Sequence, residues 1–183
     1  MAEILVVVDM QNDFVTGALG TPEAAEIVPL VVGRVVDGIN RGEQIVFTRD
    51  THGADYARTQ EGRRLPVPHC IRDTEGWEII PQLQPDTVGR TVIDKPTFGS
   101  RLLGEHLLDL DKELRRRGQP GVERVTLIGV CTDICVLSNA LLIKAFLPEA
   151  EIVVEASCCA GVTPEAHRTA LAAMGPCQIT VLE

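Results

Sequence analysis

The sequence predicts a single α/β domain, in which a mostly parallel six-stranded sheet lies between two layers of helices. Three observations support this fold class. The 183 residues suit one domain, which would bury roughly 70% of its unfolded surface. Apolar runs typical of strands alternate with helical patterns, as in repeated β-α units. No repeat or linker interrupts residues 1–183, so we expect one three-layer α/β/α domain.

Six apolar segments are predicted to be strands. The first, residues 4–8, is a continuous run of Ile, Leu and Val, which is typical of a strand buried on both faces. The other predicted strands cover residues 45–48, 88–94, 124–130, 152–154 and 178–182. In sheets of this kind, chemistry is placed at the carboxyl ends of strands near a topological switch point.

Four helices are predicted between these strands. Thr21 followed by Pro22 is typical of an N-cap with proline at the first helical position. Ser100 is predicted to cap the next helix, and the last two helices cover residues 133–146 and 164–174. Residues 51–76 show no period, and so long a loop in a compact domain is usually functional.

Charge and composition exclude several classes of protein. The formal net charge of −9 and pI of about 4.9 disfavour a nucleic-acid partner. No apolar stretch approaches the ~18 residues of a membrane span, and the start of the chain lacks the basic region of a signal peptide. We therefore expect a cytoplasmic protein without a membrane partner. Its six cysteines indicate free thiols, a metal site or catalysis rather than disulfides.

Two charged residues stand where predicted strands end. Asp9 directly follows a buried strand, and partial desolvation there would raise its pKa and favour a role as a base. A carboxylate that caps a turn or helix is an equally good interpretation of its position. Lys95 ends the third strand. It is either an ordinary exposed lysine or a cation that pairs with a carboxylate and holds a thiolate.

Cys135 follows the fourth strand, in the segment Gly-Val-Cys-Thr-Asp-Ile-Cys-Val of residues 129–136. This placement in a first helical turn would lower the pKa of the thiol and supply N–H groups for an oxyanion. A small buried hydrophobic residue is the alternative. Cys131 is four residues away, unlike the cysteines of a C-x-x-C redox motif, and the pair Cys158-Cys159 does not complete a structural zinc site.

A metal site is predicted beyond the second strand. Asp50 and His52 are two residues apart, so in extended chain both point to one face. His69 could return across the long loop, and two His with one Asp form a metal shell with open positions. The alternative is a turn-capping Asp with surface histidines.

These motifs resemble the isochorismatase-like cysteine hydrolases and, within that superfamily, the nicotinamidases. The resemblance covers essentially the whole chain and is carried by Asp-Met-Gln-Asn-Asp-Phe at residues 9–14, by Lys95 and by residues 129–136. It implies a six-stranded parallel α/β fold. It also implies a catalytic triad of Asp9, Lys95 and Cys135.

The same resemblance implies further features of the site. The peptide bond between Val130 and Cys131 would be cis, and the N–H groups of Cys131 and Cys135 would bind the oxyanion. Asp50, His52 and His69 match the positions of metal ligands in nicotinamidases, and Glu61 is a candidate fourth ligand. Zinc is the expected ion, and manganese and iron(II) are also chemically acceptable to such an N/O site.

The implied activity is hydrolysis of a small, nicotinamide-like carboxamide to acid and ammonia through a thioester on Cys135. Phe14, Leu65 and Phe98 are expected to line the substrate pocket. Nicotinamidases usually carry an aromatic residue shortly before the last metal His, where this chain has Leu65-Pro66-Val67. The pocket could therefore accept a different heteroaromatic or an aliphatic amide.

Other functions stay open from the sequence. N-carbamoyl amidohydrolases share the triad without the metal site, whereas isochorismatases cleave a vinyl ether and typically lack the nucleophilic cysteine. A binding protein, or a redox module that cycles Cys131 and Cys135, is the non-hydrolytic alternative. Residues 133–147 are more apolar than one buried stripe needs, and relatives are commonly dimers or tetramers, so we expect a homo-oligomer.

Overall fold

A computed structural model describes residues 2–183 of the protein. Six strands form one sheet in the order β3-β2-β1-β4-β5-β6, and each neighbouring pair is parallel. The predicted fold class is therefore confirmed. The strands are β1 (Ala2–Val8), β2 (Gln44–Asp50), β3 (Thr91–Lys95), β4 (Val122–Val130), β5 (Glu151–Ala160) and β6 (Ile179–Leu182).

Helices cover both faces of this sheet, and several are only one turn long. The α-helices are α1 (Asn12–Val15), α2 (Pro22–Glu26), α3 (Val28–Arg41), α4 (Gln60–Arg64), α5 (Gln84–Thr87), α6 (Arg101–Arg116), α7 (Leu137–Phe146) and α8 (Pro164–Met174). Short 3-10 turns occur at Tyr56–Arg58, Glu75–Trp77 and Gly175–Cys177, and one π-helical turn at Thr132–Val136 precedes α7.

The alternation of β1 explains why both faces are covered. Ile4, Val6 and Val8 belong to a core cluster with α6, α7 and α8, whereas Leu5 and Val7 belong to a second cluster with α3. All five side chains are buried, and each such burial stabilises the fold by about 1.5–3 kcal/mol. The sheet is thus the middle layer of three.

The side of the sheet to which successive strands are added changes between β1 and β4, although all the strands run parallel. From this pair the chain builds outward to β3 on one side and to β6 on the other, which makes their carboxyl ends the switch-point crevice. Gly129 pairs with Val8 at this place and has a φ of +109°. A Cβ there would lie 2.2 Å from the Val8 carbonyl oxygen, so only glycine allows the two strands to approach.

Local differences from the predicted elements have identifiable causes. The helix predicted from Pro22 is two helices, α2 and α3, and Pro29 lies in the first turn of the second. The third strand begins at Thr91 rather than residue 88, because Gly89 turns the chain at a φ of +72°. Loop residues 51–76 contain three short helical segments.

Two surface properties bear on the expected partners. Within residues 2–183, no helix combines the length and the hydropathy that a membrane span requires. Leu102 on α6 and Leu141 on α7 are exposed apolar side chains. The homo-oligomer stays a prediction.

Candidate active site

The three residues of the expected triad meet at the switch-point edge of the sheet. Asp9 follows β1 in the left-handed region at a φ of +50°, which Asp tolerates better than most residues. Lys95 is the last residue of β3, and Cys135 lies in the π-helical turn after β4. The Lys95 Nζ atom lies 2.6 Å from Asp9 Oδ2 and 3.3 Å from Cys135 Sγ.

Lys95 is a buried ammonium group surrounded by acceptors. It is 0% exposed, and it also donates to Asp50 Oδ1 at 3.2 Å and to the Thr97 carbonyl at 3.3 Å. Burial alone would lower the pKa of Lys95, but Asp9, Cys135 and Asp50 raise it well above its usual value. The lysine therefore stays charged and is the fixed cation of the site.

Asp9 is the buried carboxylate of the triad. Thr48 Oγ1 donates to Asp9 Oδ1 at 2.6 Å and accepts the Asp9 N–H at 3.3 Å. Burial raises the pKa of Asp9 above its ordinary value, although Lys95 opposes the shift. This agrees with the sequence-based expectation of a desolvated carboxylate with raised basicity.

The Cys135 thiol differs from the expectation of a lowered pKa. Burial raises the pKa of Cys135 well above its usual value, and the nearby charges of Asp9 and Asp50 add to the effect. Lys95 acts in the opposite direction without reversing the shift. The resting thiol thus keeps its proton, because desolvation outweighs the effect of the lysine. A base must take that proton before the sulfur can attack.

The backbone around Cys135 is held by hydrogen bonds from a neighbouring helix. The peptide bond between Val130 and Cys131 is cis, as the resemblance implied. The Asn139 side chain, on α7, donates to the Cys135 carbonyl at 2.8 Å and to the Phe98 carbonyl at 3.1 Å. It also accepts the Ser100 N–H at 2.9 Å. This buried amide thus ties the cysteine turn to the segment after β3.

A four-residue cluster that could hold a metal lies beside the triad. Asp50, His52, Glu61 and His69 place one ligand atom each within 4.8 Å of one another. Two ligand atoms on one tetrahedral zinc ion are about 3.3–3.6 Å apart. The histidine–carboxylate atom pairs of the cluster are 2.9–3.8 Å apart, which suits a shared ion. Asp50 joins the two sites, because its Oδ1 faces Lys95 and its Oδ2 lies 2.9 Å from His52 Nε2.

The state of the two histidines suits metal binding. His52 Nε2 is buried and lacks a hydrogen-bond partner among the described residues, despite its short distance to Asp50. The Nδ1 atom of His69 lies 2.8 Å from the Val67 carbonyl, and a donated bond there leaves the Nε2 lone pair free for an ion. Burial works against ionisation of Asp50, yet the two histidines and Lys95 lower its pKa.

The expected pocket residues lie in different environments. Phe14 is buried on α1, and its ring centroid is 5.6 Å from that of His69. Leu65 and Phe98 are 38% and 46% exposed. Phe14 thus adjoins the metal cluster, whereas the other two present apolar surface to solvent.

Tyr56 was not predicted from the sequence, yet it packs against the metal cluster. Its ring centroid is 4.7 Å from that of His52 and 5.0 Å from that of His69. The Tyr56 hydroxyl donates to the Leu65 carbonyl at 2.9 Å. It is the only tyrosine in the chain, and its place within the long loop between His52 and His69 was the available signal.

Comparisons with known proteins identify the family of the chain. The family model described as the isochorismatase domain matches residues 3–183. The chain belongs to the isochorismatase family. An isochorismatase family protein of Bacillus subtilis, PncA, is 31% identical over 179 residues, which cover 93% of each chain.

Two solved structures of the family are similar over the full length. A nicotinamidase/pyrazinamidase PncA from Bacillus subtilis is 30% identical, with a TM-score of 0.79 and 100% coverage of both chains. A pyrazinamidase of Pyrococcus horikoshii in complex with zinc is 32% identical, with a TM-score of 0.77 and coverage of 100% of this chain and 99% of that chain.

Proposed function

We propose that the protein is a metal-assisted cysteine amidohydrolase that cleaves a small, nicotinamide-like carboxamide to acid and ammonia. The observation that carries the proposal is the contact of Lys95 with both Asp9 and Cys135 beside a metal-ligand cluster. Similarity to a nicotinamidase/pyrazinamidase and to a zinc-bound pyrazinamidase supports the substrate class.

Asp9 and Lys95 divide the work of activating the thiol. Cys135 holds its proton at rest, and Asp9 has the raised pKa of a carboxylate that can accept it. As the S–H bond breaks, the new thiolate lies 3.3 Å from the Lys95 ammonium, which stabilises its charge. The proton moves from Sγ to Asp9, and the net charge of the triad is unchanged.

The thiolate then attacks the amide carbonyl carbon. The carbonyl π electrons move to oxygen, and the N–H groups of Cys131 and Cys135 would receive this oxyanion. Protonated Asp9 gives its proton to the amide nitrogen, so ammonia leaves and a thioester remains on Cys135. Water then attacks the thioester, with Asp9 again as the base, which releases the acid and restores the thiol.

Asp50, His52, His69 and Glu61 would hold a divalent ion, with zinc the expected one. Such an ion supplies Lewis-acid coordination that can orient a ring nitrogen of the substrate. Phe14 adjoins this cluster and would provide one apolar wall for the ring. Leu65 and Phe98 would border the entrance, where their exposed apolar surface can be covered by substrate.

The metal cluster also separates this proposal from its alternatives. An N-carbamoyl amidohydrolase needs the triad alone, so the clustering of two histidines with Asp50 favours the nicotinamide-like substrate. A redox role for Cys131 is disfavoured, because burial raises the pKa of that thiol to about 12 and leaves little thiolate.

A substrate panel tests the proposed activity. The purified full chain, supplied with Zn²⁺, would be incubated with nicotinamide, pyrazinamide, an aliphatic amide and an N-carbamoyl amino acid while ammonia is followed. We expect ammonia from the aromatic carboxamides, and at least about a 10³-fold loss in Cys135→Ala. The exposed Cys177 provides the control, since Cys177→Ala should retain full activity.

Two results of this panel would contradict the proposal. Ammonia release from the N-carbamoyl compound alone would indicate an N-carbamoyl amidohydrolase instead. Absence of turnover for every amide, with the wild-type chain folded and metal added, would leave the cysteine hydrolase assignment without support.

A further inference from the structure

The buried side chain of Gln11 makes three hydrogen bonds, two of them to the main chain of Asp50. Its Oε1 atom accepts the Asp50 N–H at 2.7 Å. Its Nε2 atom donates to the Asp50 carbonyl at 2.9 Å and to the Trp77 carbonyl at 2.8 Å. Gln11 is 0% exposed, so one acceptor and both donors of the amide are used without water.

These bonds continue the sheet where β1 has ended. The registered pairs of β1 with β2 stop at Val7 and Phe47, and the chain leaves the sheet at Asp9. On the other side of β2, Asp50 is in register with Lys95 of β3. The Gln11 amide has the shape of a peptide group and donates and accepts as one. It therefore replaces the missing strand on the β1 side of Asp50.

We propose that Gln11 is a positioning residue for the metal site. By fixing both backbone polar groups of Asp50, it holds the carboxylate with Oδ1 toward Lys95 and Oδ2 toward His52. This inference rests on the proposed function, because it assumes that Asp50 is a metal ligand. Loss of groups that orient a metal ligand typically weakens metal affinity about 10–100-fold.

Asn139 offers a matched comparison within the same molecule. It is also 0% exposed, and its amide makes three hydrogen bonds to main-chain groups. Those groups belong to the triad side of the site, at Cys135, Phe98 and Ser100, rather than to a metal ligand. Removing either amide takes away a similar number of buried hydrogen bonds, so stability should fall comparably.

The experiment measures Zn²⁺ affinity of the full chain by competition with a chromophoric chelator, alongside urea unfolding. Gln11→Met should raise the Zn²⁺ dissociation constant at least about 10-fold, and Asn139→Leu should leave it within about 3-fold at similar stability. The absorption spectrum of bound Co²⁺ should change in Gln11→Met alone, because it reports ligand geometry. If Gln11→Met does not fold, the isosteric Gln11→Glu decides. It loses the amide donors to the Asp50 and Trp77 carbonyls, so its Zn²⁺ dissociation constant should also rise.

The outcomes separate this inference from the proposed function. An unchanged Zn²⁺ affinity in a folded Gln11 variant, or an equal loss in Asn139→Leu, overturns the positioning role alone. Failure of the wild-type chain to bind Zn²⁺ or Co²⁺ overturns the metal site and this inference together. Amide hydrolysis by the wild-type chain is measured separately, so loss of the positioning role of Gln11 leaves the proposed activity standing.

Discussion

Replacement of Lys95 by Met would leave two buried carboxylates without their common cation. The ammonium is 0% exposed, 2.6 Å from Asp9 and 3.2 Å from Asp50. Breaking a buried ion pair by removing one partner typically costs about 3–5 kcal/mol. At about 2–4 °C per kcal/mol for a chain of this size, the melting temperature should fall by roughly 6–20 °C.

The loss of stability in Lys95→Met should be larger at high pH than at low pH. Burial already raises the pKa of Asp9 in the folded state, and Lys95 holds that rise in check. Without the lysine the folded pKa of Asp9 rises further, so folding of the variant takes up a proton. A carboxylate whose pKa is higher in the folded state than in the unfolded state destabilises the fold at pH values above its unfolded pKa. This destabilisation disappears as the pH falls. The variant should therefore be closer to wild type at pH 5 than at pH 8.

Urea unfolding followed by circular dichroism at both pH values checks this prediction. The control is Lys112→Met, because the Lys112–Asp109 pair is exposed at 54% and 76% and its loss should change stability by less than about 0.5 kcal/mol. Unfolding of Lys95→Met at the wild-type urea concentration would refute the buried ion pairs as a source of stability. A loss of unfolding free energy that is the same at both pH values would refute the role of Asp9 protonation.

Three further predictions follow from the same geometry. Asp9→Asn keeps the shape of the base but cannot take the thiol proton, so ammonia release should fall at least about 100-fold; a rate near wild type would remove Asp9 from the mechanism. Burial raises the pKa of Cys135, so the rate at which iodoacetamide labels it in the free protein should keep increasing with pH above 9. Peptide mass mapping measures this labelling, and a plateau below pH 8 would contradict the prediction. A Cβ at Gly76 would lie 2.1 Å from Asp13 Oδ2, which accepts the Cys70 N–H at 2.7 Å and cannot turn away without losing that bond. Gly76→Ala should therefore lower the free energy of unfolding by about 1–3 kcal/mol. Gly33→Ala on α3 meets nothing within 4 Å and should be neutral or stabilising; equal effects of the two substitutions would exclude the steric argument.

The strands, and the site residues that stand at strand ends, were predictable because their sequence signals are local. The continuous apolar run of residues 4–8 predicts a strand buried on two faces, and the structure divides its side chains between two core clusters. Asp9, Lys95 and Asp50 could be singled out because each stands where a strand ends. Parallel topology then brings those ends to one edge.

Other features depend on contacts between distant parts of the chain. The pKa of Cys135 was expected to be low from its place in a helical turn, but burial dominates once the neighbouring elements close over it. Gln11 lies within the motif of residues 9–14, but the motif does not show which groups its amide binds, and Asn139 carries no local pattern that distinguishes it from a surface amide. Their roles arise from main-chain groups 39 residues away, at Asp50 and Ser100. Tyr56 likewise meets His69 only after the loop folds back.

The most direct test of the central claim is the search for an acyl group on Cys135 during turnover. The Zn²⁺-supplied protein would be mixed with nicotinamide, quenched with acid within milliseconds to seconds, and measured by intact and peptide mass spectrometry. We predict a mass increase equal to the substrate minus ammonia, located on the peptide containing Cys135 and absent from Cys135→Ala. Ammonia release by Cys135→Ala at the wild-type rate would contradict it.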